Sequence, residues 1–320
     1  MKDFLSKLYF KLRVFAVPII LMAIFVQLLT INNNLSKQVA NMFIKAPPYF
    51  LANKLIVPIL KKTVLGESSF KKNLFSAEAA VVMDGDSKVL IFSKNENLRF
   101  SMASTTKIMT ALVGLKYFKL NDILTVYEQD IEGVNVGFKK EQKYRFRDVL
   151  YAMLLPSGND AALTIAQNYL DGEEAFVTKM NEAAQSFYLR NTHFSDPIGL
   201  TDEGDYTTAY DLARLTSIAL KNPTFAQVVS TKHTIISDTL GLEIFSLFNL
   251  NKLLDQPGIT GVKTGFTEEA KGVLVTSKNE SGHTIIIVVM RSKDRFADTN
   301  YLLQLVSEGI VYKPIYYPSK

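Results

Sequence analysis

Residues 103–112 read Ala-Ser-Thr-Thr-Lys-Ile-Met-Thr-Ala-Leu. From Ile108 onward, apolar residues recur at positions i, i+3, i+4 and i+7, as they do on the buried face of a helix. The pattern predicts that a helix follows Ser101. Ser104 and Lys107 then lie at its start, three positions apart and on one face.

This spacing allows the Lys107 amine to reach the Ser104 hydroxyl. A serine hydroxyl is a weak nucleophile until a neighbouring base takes its proton. Lysine can be that base when burial or a nearby cation lowers its pKa toward neutrality. Taken alone, the pattern also fits a serine that caps a helix beside a solvated lysine.

The surrounding sequence predicts strands, then a block of helices, then strands again. Upstream, two β-rich runs at 79–83 and 89–92 flank the hairpin signal Asp84-Gly85-Asp86-Ser87. Downstream, the periodicity predicts helices over 147–155, 160–170, 174–188 and 208–220, strands over 233–236, 261–266, 272–276 and 284–290, and a last helix over 296–309. Such segregation is typical of α+β proteins, so we predict a largely antiparallel sheet with a helical lobe.

Two further motifs carry polar side chains suited to catalysis. Ser157-Gly158-Asn159 lies in a loop between two predicted helices, where a hydroxyl and an amide can project into a cleft. Lys263-Thr264-Gly265 lies in a strand-like run, where glycine allows a substrate to approach the strand edge. In isolation the first is an ordinary turn with a helix cap, and the second a strand that ends in a turn.

Together the three motifs match the S-x-x-K, S-x-N and K-T-G set of penicillin-binding proteins and class A β-lactamases. From about Ala79 to Leu305, the chain resembles the D-alanyl-D-alanine carboxypeptidase family of low-molecular-weight penicillin-binding proteins. The resemblance is carried by residues 103–112, 154–162, 191–194, 199–200 and 261–267. It implies the penicillin-binding/β-lactamase-like fold. It also implies a penicillin-sensitive serine-type D-Ala-D-Ala carboxypeptidase that acts on peptidoglycan stem peptides and is covalently inhibited by β-lactams.

The resemblance also implies roles for individual residues. Ser104 would form the acyl-enzyme and Lys107 would accept its proton. Ser157 and Lys263 would pass a proton to the leaving D-alanine, while Asn159 would orient Lys107 and the substrate amide.

The remaining implied roles concern substrate binding by the strand motif and its surroundings. The backbone N–H groups of Ser104 and Phe266 would form the oxyanion hole, and Gly265 completes the strand motif. Thr264 would bind the terminal carboxylate with Arg295 as its cationic partner, although Arg291 is a competitor for that role.

Composition excludes several other classes of site. The chain has no cysteine, which removes thiolate nucleophiles and Cys-ligated zinc. Its three histidines, His193, His233 and His283, do not have the spacing of a helical metal site. We therefore expect neither a metal nor a cofactor.

The net charge of +5 is distributed unevenly along the chain. Residues 1–76 carry eleven Lys or Arg against Asp3 and Glu67, which leaves the rest of the chain acidic. A nucleic-acid-binding protein would be expected to have its basic patch on the folded domain. The basic excess here flanks an apolar segment instead, so we expect a membrane lipid partner and no nucleic acid.

The N-terminal sequence predicts a membrane anchor. Residues 14–31 form an 18-residue stretch without a charged side chain, enough for a helix of about 27 Å, close to the hydrocarbon thickness of a bilayer. We interpret 1–13 as a basic cytoplasmic tail, 14–31 as an uncleaved transmembrane signal anchor, 32–76 as a juxtamembrane stalk and 77–320 as an extracytoplasmic catalytic domain. Within the stalk, residues 50–65 could form a helix, either interfacial or packed on the domain.

Alternative functions remain open from the sequence alone. A class A-like β-lactamase would also need a glutamate in an E-x-x-L-N stretch, and no glutamate of this chain begins one. A catalytically silent, membrane-tethered wall-binding protein would not need the intact catalytic side chains. Hydrolysis, transpeptidation and endopeptidase cleavage share the same acyl-enzyme and are not separated by the motifs.

Overall fold

The computed structural model describes residues 54–60, 75–200 and 204–316. The predicted tail and transmembrane segment, 1–13 and 14–31, lie outside the described residues, as does most of the predicted stalk. In the part of the chain that is described, no helix has the length and hydropathy required to cross a bilayer. One compact unit extends over Val57–Lys313.

The secondary-structure elements follow the predicted order. The strands are β1 Lys54–Leu60, β2 Ala79–Asp84, β3 Leu90–Lys94, β4 Ile123–Thr125, β5 Lys143–Arg145, β6 His233–Ser237, β7 Ile244–Phe248, β8 Ile259–Thr267, β9 Lys271–Glu280, β10 His283–Ser292 and β11 Ile310–Tyr316. The helices are α1 Lys107–Tyr117, α2 Phe146–Leu154, α3 Asn159–Gln167, α4 Gly172–Ser186, α5 Ala209–Ala219, α6 Pro223–Ser230 and α7 Arg295–Gly309.

A five-stranded antiparallel sheet organises the unit, with strand order β3-β2-β10-β9-β8. This confirms the predicted α+β class and antiparallel sheet. The hairpin predicted at residues 84–87 joins β2 to β3. Because β8 is an edge strand of this sheet, the Lys263-Thr264-Gly265 motif lies at an edge rather than in the middle of the sheet.

Both faces of the sheet are covered, which explains why β2 is apolar over Ala79–Met83 and β10 over Ile285–Met290. Val81 and Val288 belong to the core cluster shared with the helical lobe. Their neighbours in sequence, Val82 and Val289, belong to a second cluster beneath α7. Successive side chains point to opposite faces of a strand, so β2 and β10 supply both cores.

Several elements were not predicted. The strands β4, β5, β7 and β11 are short or pair outside the main sheet, so they carry little periodic signal. Helix α6 has a recognisable start that the periodicity did not reveal. Asn222 accepts hydrogen bonds from the N–H groups of Thr224 and Phe225, and Pro223 occupies the first turn.

The helix expected within residues 50–65 is wrong over its described part, because Lys54–Leu60 form β1. Proline cannot donate the backbone hydrogen bond that a helix interior requires, and Pro58 lies in the middle of this segment. The β-branched residues Ile56, Val57 and Ile59 also favour extended structure.

Candidate active site

The Ser104 hydroxyl and the Lys107 amine are in direct contact, with Lys107 Nζ 2.9 Å from Ser104 Oγ. Residues 103–106 form a 3-10 turn, and α1 begins at Lys107. Side chains at i and i+3 eclipse one another in such a turn. Ser104 therefore lies inside the turn and caps neither helix, so the alternative interpretation as a helix cap is wrong. From 101 to 111 every residue except Ser104 is buried, so its hydroxyl is the group this segment offers to a substrate.

The Lys107 amine is enclosed by oxygen acceptors. Besides Ser104, Nζ lies 2.8 Å from Asn159 Oδ1 and 2.7 Å from the carbonyl oxygen of Ile198. The latter two oxygens can only accept hydrogen bonds. A neutral amine has two N–H groups and one free electron pair. If both N–H groups bond to Asn159 and Ile198, the electron pair is directed at the Ser104 hydroxyl.

The environment also favours the neutral form of this amine. Burial lowers the pKa of Lys107 to about 7, because removal from water disfavours the charged ammonium. The carboxylates of Asp196 and Asp160 act in the opposite direction and raise this pKa. Lys107 is thus available as a base near neutral pH.

The second motif is placed by a strained turn between α2 and α3. Ser157 has φ +71°, a left-handed conformation that non-glycine residues rarely adopt, and its side chain is buried. Asn159 is the first residue of α3, and its Nδ2 donates to the carbonyl oxygen of Glu132 at 2.6 Å. This bond leaves Asn159 Oδ1 free to face Lys107.

Lys263 extends from β8 to the second motif. Its Nζ lies 2.9 Å from Ser157 Oγ and 3.0 Å from the carbonyl oxygen of Thr264. Burial holds the pKa of Lys263 well below its usual range, and the charges of Lys107 and Arg295 lower it further. The structure therefore brings the predicted Ser104–Lys107 and Ser157–Lys263 pairs into one site.

Gly265 allows β8 to approach the nucleophile turn. A Cβ at this position would lie 3.1 Å from Ala103 Cβ and from the Met102 carbonyl oxygen, and 3.3 Å from the Ser104 backbone nitrogen. The sequence predicts that this glycine admits substrate, but the atoms nearest to it belong to residues 102–104 of the protein itself. Next to it, Phe266 has 57% of its surface exposed.

Arg295 contacts the strand motif, whereas Arg291 pairs with acidic side chains. Arg295 Nη1 donates to the Gly265 carbonyl oxygen at 3.1 Å. Arg291 forms ion pairs with Glu78 at 3.4 Å and Glu269 at 3.6 Å. Of the two arginines considered from the sequence, Arg295 is therefore the one placed next to Gly265.

The sequence reasoning missed the Ile198 carbonyl as a ligand of Lys107. It lies in a turn that contacts the nucleophile segment directly. Gly199 has φ +83°, and a Cβ there would lie 2.1 Å from the Ala103 carbonyl oxygen. The signal available in the sequence was Asp196-Pro197-Ile198-Gly199, a turn pattern within the region of family resemblance.

The chain is similar in sequence to known peptidases. The sequence profile of peptidase family S11, D-alanyl-D-alanine carboxypeptidase, matches residues 67–294. The D-alanyl-D-alanine carboxypeptidase DacF of Bacillus subtilis is 32% identical over 75% of this chain and 64% of its own length. A D-alanyl-D-alanine carboxypeptidase of a Streptomyces species is 35% identical over 69% of this chain and 82% of its own length.

The fold is also that of solved enzymes. The Streptomyces K15 DD-transpeptidase superimposes with a TM-score of 0.67 at 32% identity, covering 72% of this chain and 96% of that one. A D-alanyl-D-alanine carboxypeptidase of Mycobacterium tuberculosis gives a TM-score of 0.68 at 30% identity over 74% and 94% of the two chains. The protein belongs to the D-alanyl-D-alanine carboxypeptidase family of serine peptidases and has a penicillin-binding-protein-like fold.

Proposed function

We propose that the protein is a penicillin-sensitive serine D-Ala-D-Ala carboxypeptidase in which Ser104 is the nucleophile and Lys107 is its base. The observation that carries the proposal is the contact of Ser104 Oγ with a buried Lys107 amine whose other two neighbours can only accept hydrogen bonds. Such an arrangement supplies a free electron pair at the hydroxyl that must lose its proton.

In the acylation step, Ser104 Oγ attacks the carbonyl carbon of the penultimate D-alanine while its proton passes to Lys107 Nζ. The C–O bond forms first, and the C–N bond to the terminal D-alanine then breaks. The leaving nitrogen takes a proton through Ser157 and Lys263, which are 2.9 Å apart. A β-lactam follows the same course, but its leaving nitrogen stays attached to the acyl group.

Two further groups of residues complete the site. The N–H groups of Ser104 and Phe266 stabilise the oxyanion, which is supported by the close approach of β8 to the Ser104 nitrogen. Thr264 and Arg295 bind the terminal carboxylate of the substrate. Support for Arg295 comes from its contact with Gly265, which places a cation beside the strand motif.

We expect free D-alanine as the main product from a peptidoglycan pentapeptide that ends in D-Ala-D-Ala. Relatives of this chain are named for carboxypeptidase, endopeptidase and transpeptidase activity, so the fate of the acyl-enzyme has to be measured directly. Incubation with the pentapeptide, with and without an amine acceptor, and with a cross-linked muropeptide dimer should be followed by mass spectrometry. Cleavage of the dimer alone would identify an endopeptidase, and no turnover of any substrate would favour the silent wall-binding protein.

We also propose that residues 14–31 anchor the enzyme in the bacterial cell membrane, with the catalytic unit on the extracytoplasmic side and membrane lipid as a partner. The support is the uncharged 18-residue stretch and its basic flank. The full chain should resist extraction from membranes by alkaline carbonate, dissolve in detergent, and show an intact N-terminus by mass. Release by carbonate would contradict the anchor.

A further inference from the structure

Two buried carboxylates, Asp160 and Asp196, act electrostatically on the Lys107 amine. Asp160 is 2% exposed and Asp196 is 9% exposed. Each one closes a loop by accepting hydrogen bonds from backbone N–H groups, and each loop positions one of the oxygens that surround Lys107.

Asp160 organises the loop that orients the Asn159 side chain. Its carboxylate accepts hydrogen bonds from the backbone N–H groups of residues 136–138, at 2.8–3.1 Å. The preceding part of the same loop presents the Glu132 carbonyl oxygen, which accepts from Asn159 Nδ2 at 2.6 Å. The orientation of the Asn159 amide toward Lys107 thus depends on a loop that the neighbouring carboxylate closes.

Asp196 organises the turn that holds the other oxygen. Its Oδ1 accepts from the N–H of Ile198 at 2.7 Å and from the N–H of Gly199, and its Oδ2 accepts from the N–H of Leu200 at 3.2 Å. The Ile198 carbonyl oxygen lies 2.7 Å from Lys107 Nζ. This carboxylate therefore positions a carbonyl in the same way that Asp160 positions an amide.

We propose that Asp160 and Asp196 are a pair of positioning residues that direct the free electron pair of Lys107 at Ser104. They fix the two oxygens that take the N–H groups of the neutral amine, so that the third direction is left for the hydroxyl. The inference rests on the proposed role of Lys107 as the base. It assigns to two residues outside the three motifs a function in the chemical step.

The charged groups near Lys107 allow this role to be separated from a purely structural one. Asp160 and Asp196 raise the pKa of Lys107, whereas the charges of Lys107 and Arg295 lower the pKa of the neighbouring Lys263. Loss of either negative charge therefore lowers the pKa of Lys107. The base is active only when neutral, so the acylation rate falls at low pH, where Lys107 is protonated. This acid limb of the pH–rate profile then moves to lower pH. A defect in folding alone would not move it.

The test is the second-order rate constant for acylation of the full chain by fluorescent penicillin, measured from pH 5 to 9. For Asp196→Asn and Asp160→Asn we expect the acid limb to shift down by about one pH unit. We also expect the plateau, the acylation rate constant at high pH, to fall roughly tenfold or more. The reason is that the electron pair of Lys107 is less well oriented toward Ser104. For Asp196→Glu, which keeps the charge but changes the geometry, the limb should stay near the wild-type position while the plateau still falls.

Asp238→Asn is the matched control. Asp238 is 5% exposed and accepts from the backbone N–H groups of Leu242 and Glu243, but its turn has no contact with Lys107 among the described residues. The acid limb of the Asp238→Asn variant should lie at the same pH as that of the wild type. An unchanged limb or an unchanged plateau in both Asp160→Asn and Asp196→Asn, or equal changes in Asp238→Asn, would overturn the inference. Fast acylation by a Lys107→Gln variant would instead refute the base assignment on which the inference rests.

Discussion

Replacement of Ser104 by alanine is expected to abolish covalent labelling by fluorescent penicillin and to lower D-alanine release by at least ~10³-fold. The Ser104 oxygen is the atom that forms the ester in the proposed mechanism, and alanine leaves no group to replace it. The substitution removes one partly exposed oxygen, so the fold should persist. Intact-protein mass spectrometry after exposure to penicillin measures the effect directly, as the presence or absence of one acyl adduct.

Ser230→Ala is a suitable control for the nucleophile experiment. Ser230 is an exposed serine at the end of α6, and its hydroxyl donates to the Gln227 carbonyl oxygen. This variant should be acylated as the wild type is. Stoichiometric labelling of the Ser104→Ala variant would place the nucleophile elsewhere and refute the proposed function.

Replacement of Lys107 by glutamine is expected to lower the acylation rate roughly 10²- to 10⁴-fold while leaving Ser104 in place. Glutamine removes the amine that takes the serine proton. The wild-type rate should rise with pH through about 7, because burial lowers the pKa of Lys107 to that value and only the neutral amine is a base. The rate of the glutamine variant should show no such rise. Stopped-flow measurement of penicillin acylation across this pH range provides both quantities.

Lys116→Gln controls for the loss of a lysine from the same helix. Lys116 lies in the last turn of α1 and is exposed, so its pH profile should coincide with that of the wild type. A Lys107→Gln variant that retains the wild-type rate and profile would show that another group accepts the proton. In that case Lys263, which is also buried and close to Ser157, would be the next base to test.

Much of the fold could be predicted because its signals are local. Six of the helices and the five strands of the main sheet lie within a few residues of the segments expected from the sequence pattern. The helix after Ser101 is an example, although it begins with a 3-10 turn over 103–106 before α1. Short paired strands such as β4 and β5 were missed because three residues carry no usable period.

The sequence predicted the side chains of the candidate site but not the groups that position them. Motif matching selected Ser104, Lys107, Ser157, Asn159 and Lys263, and the structure brings them together. Motif matching could not select the Ile198 carbonyl, because every residue has a carbonyl group and only the folded turn directs this one at Lys107. Asp160 and Asp196 were equally hidden, since a carboxylate next to a turn is a common pattern.

The amino-acid sequence specifies which groups are available for chemistry and which local elements carry them. Helix periodicity places Ser104 and Lys107 on one face, and no cysteine is present to offer another nucleophile of that kind. Two contacts of the site arise only when the chain folds: Lys107 meets Asn159 across 52 residues, and Lys263 meets Ser157 across 106. Packing between distant segments also creates the burial that lowers the pKa of Lys107 to about 7. A lysine in the same four-residue motif on an exposed helix would remain protonated at neutral pH and could not act as a base.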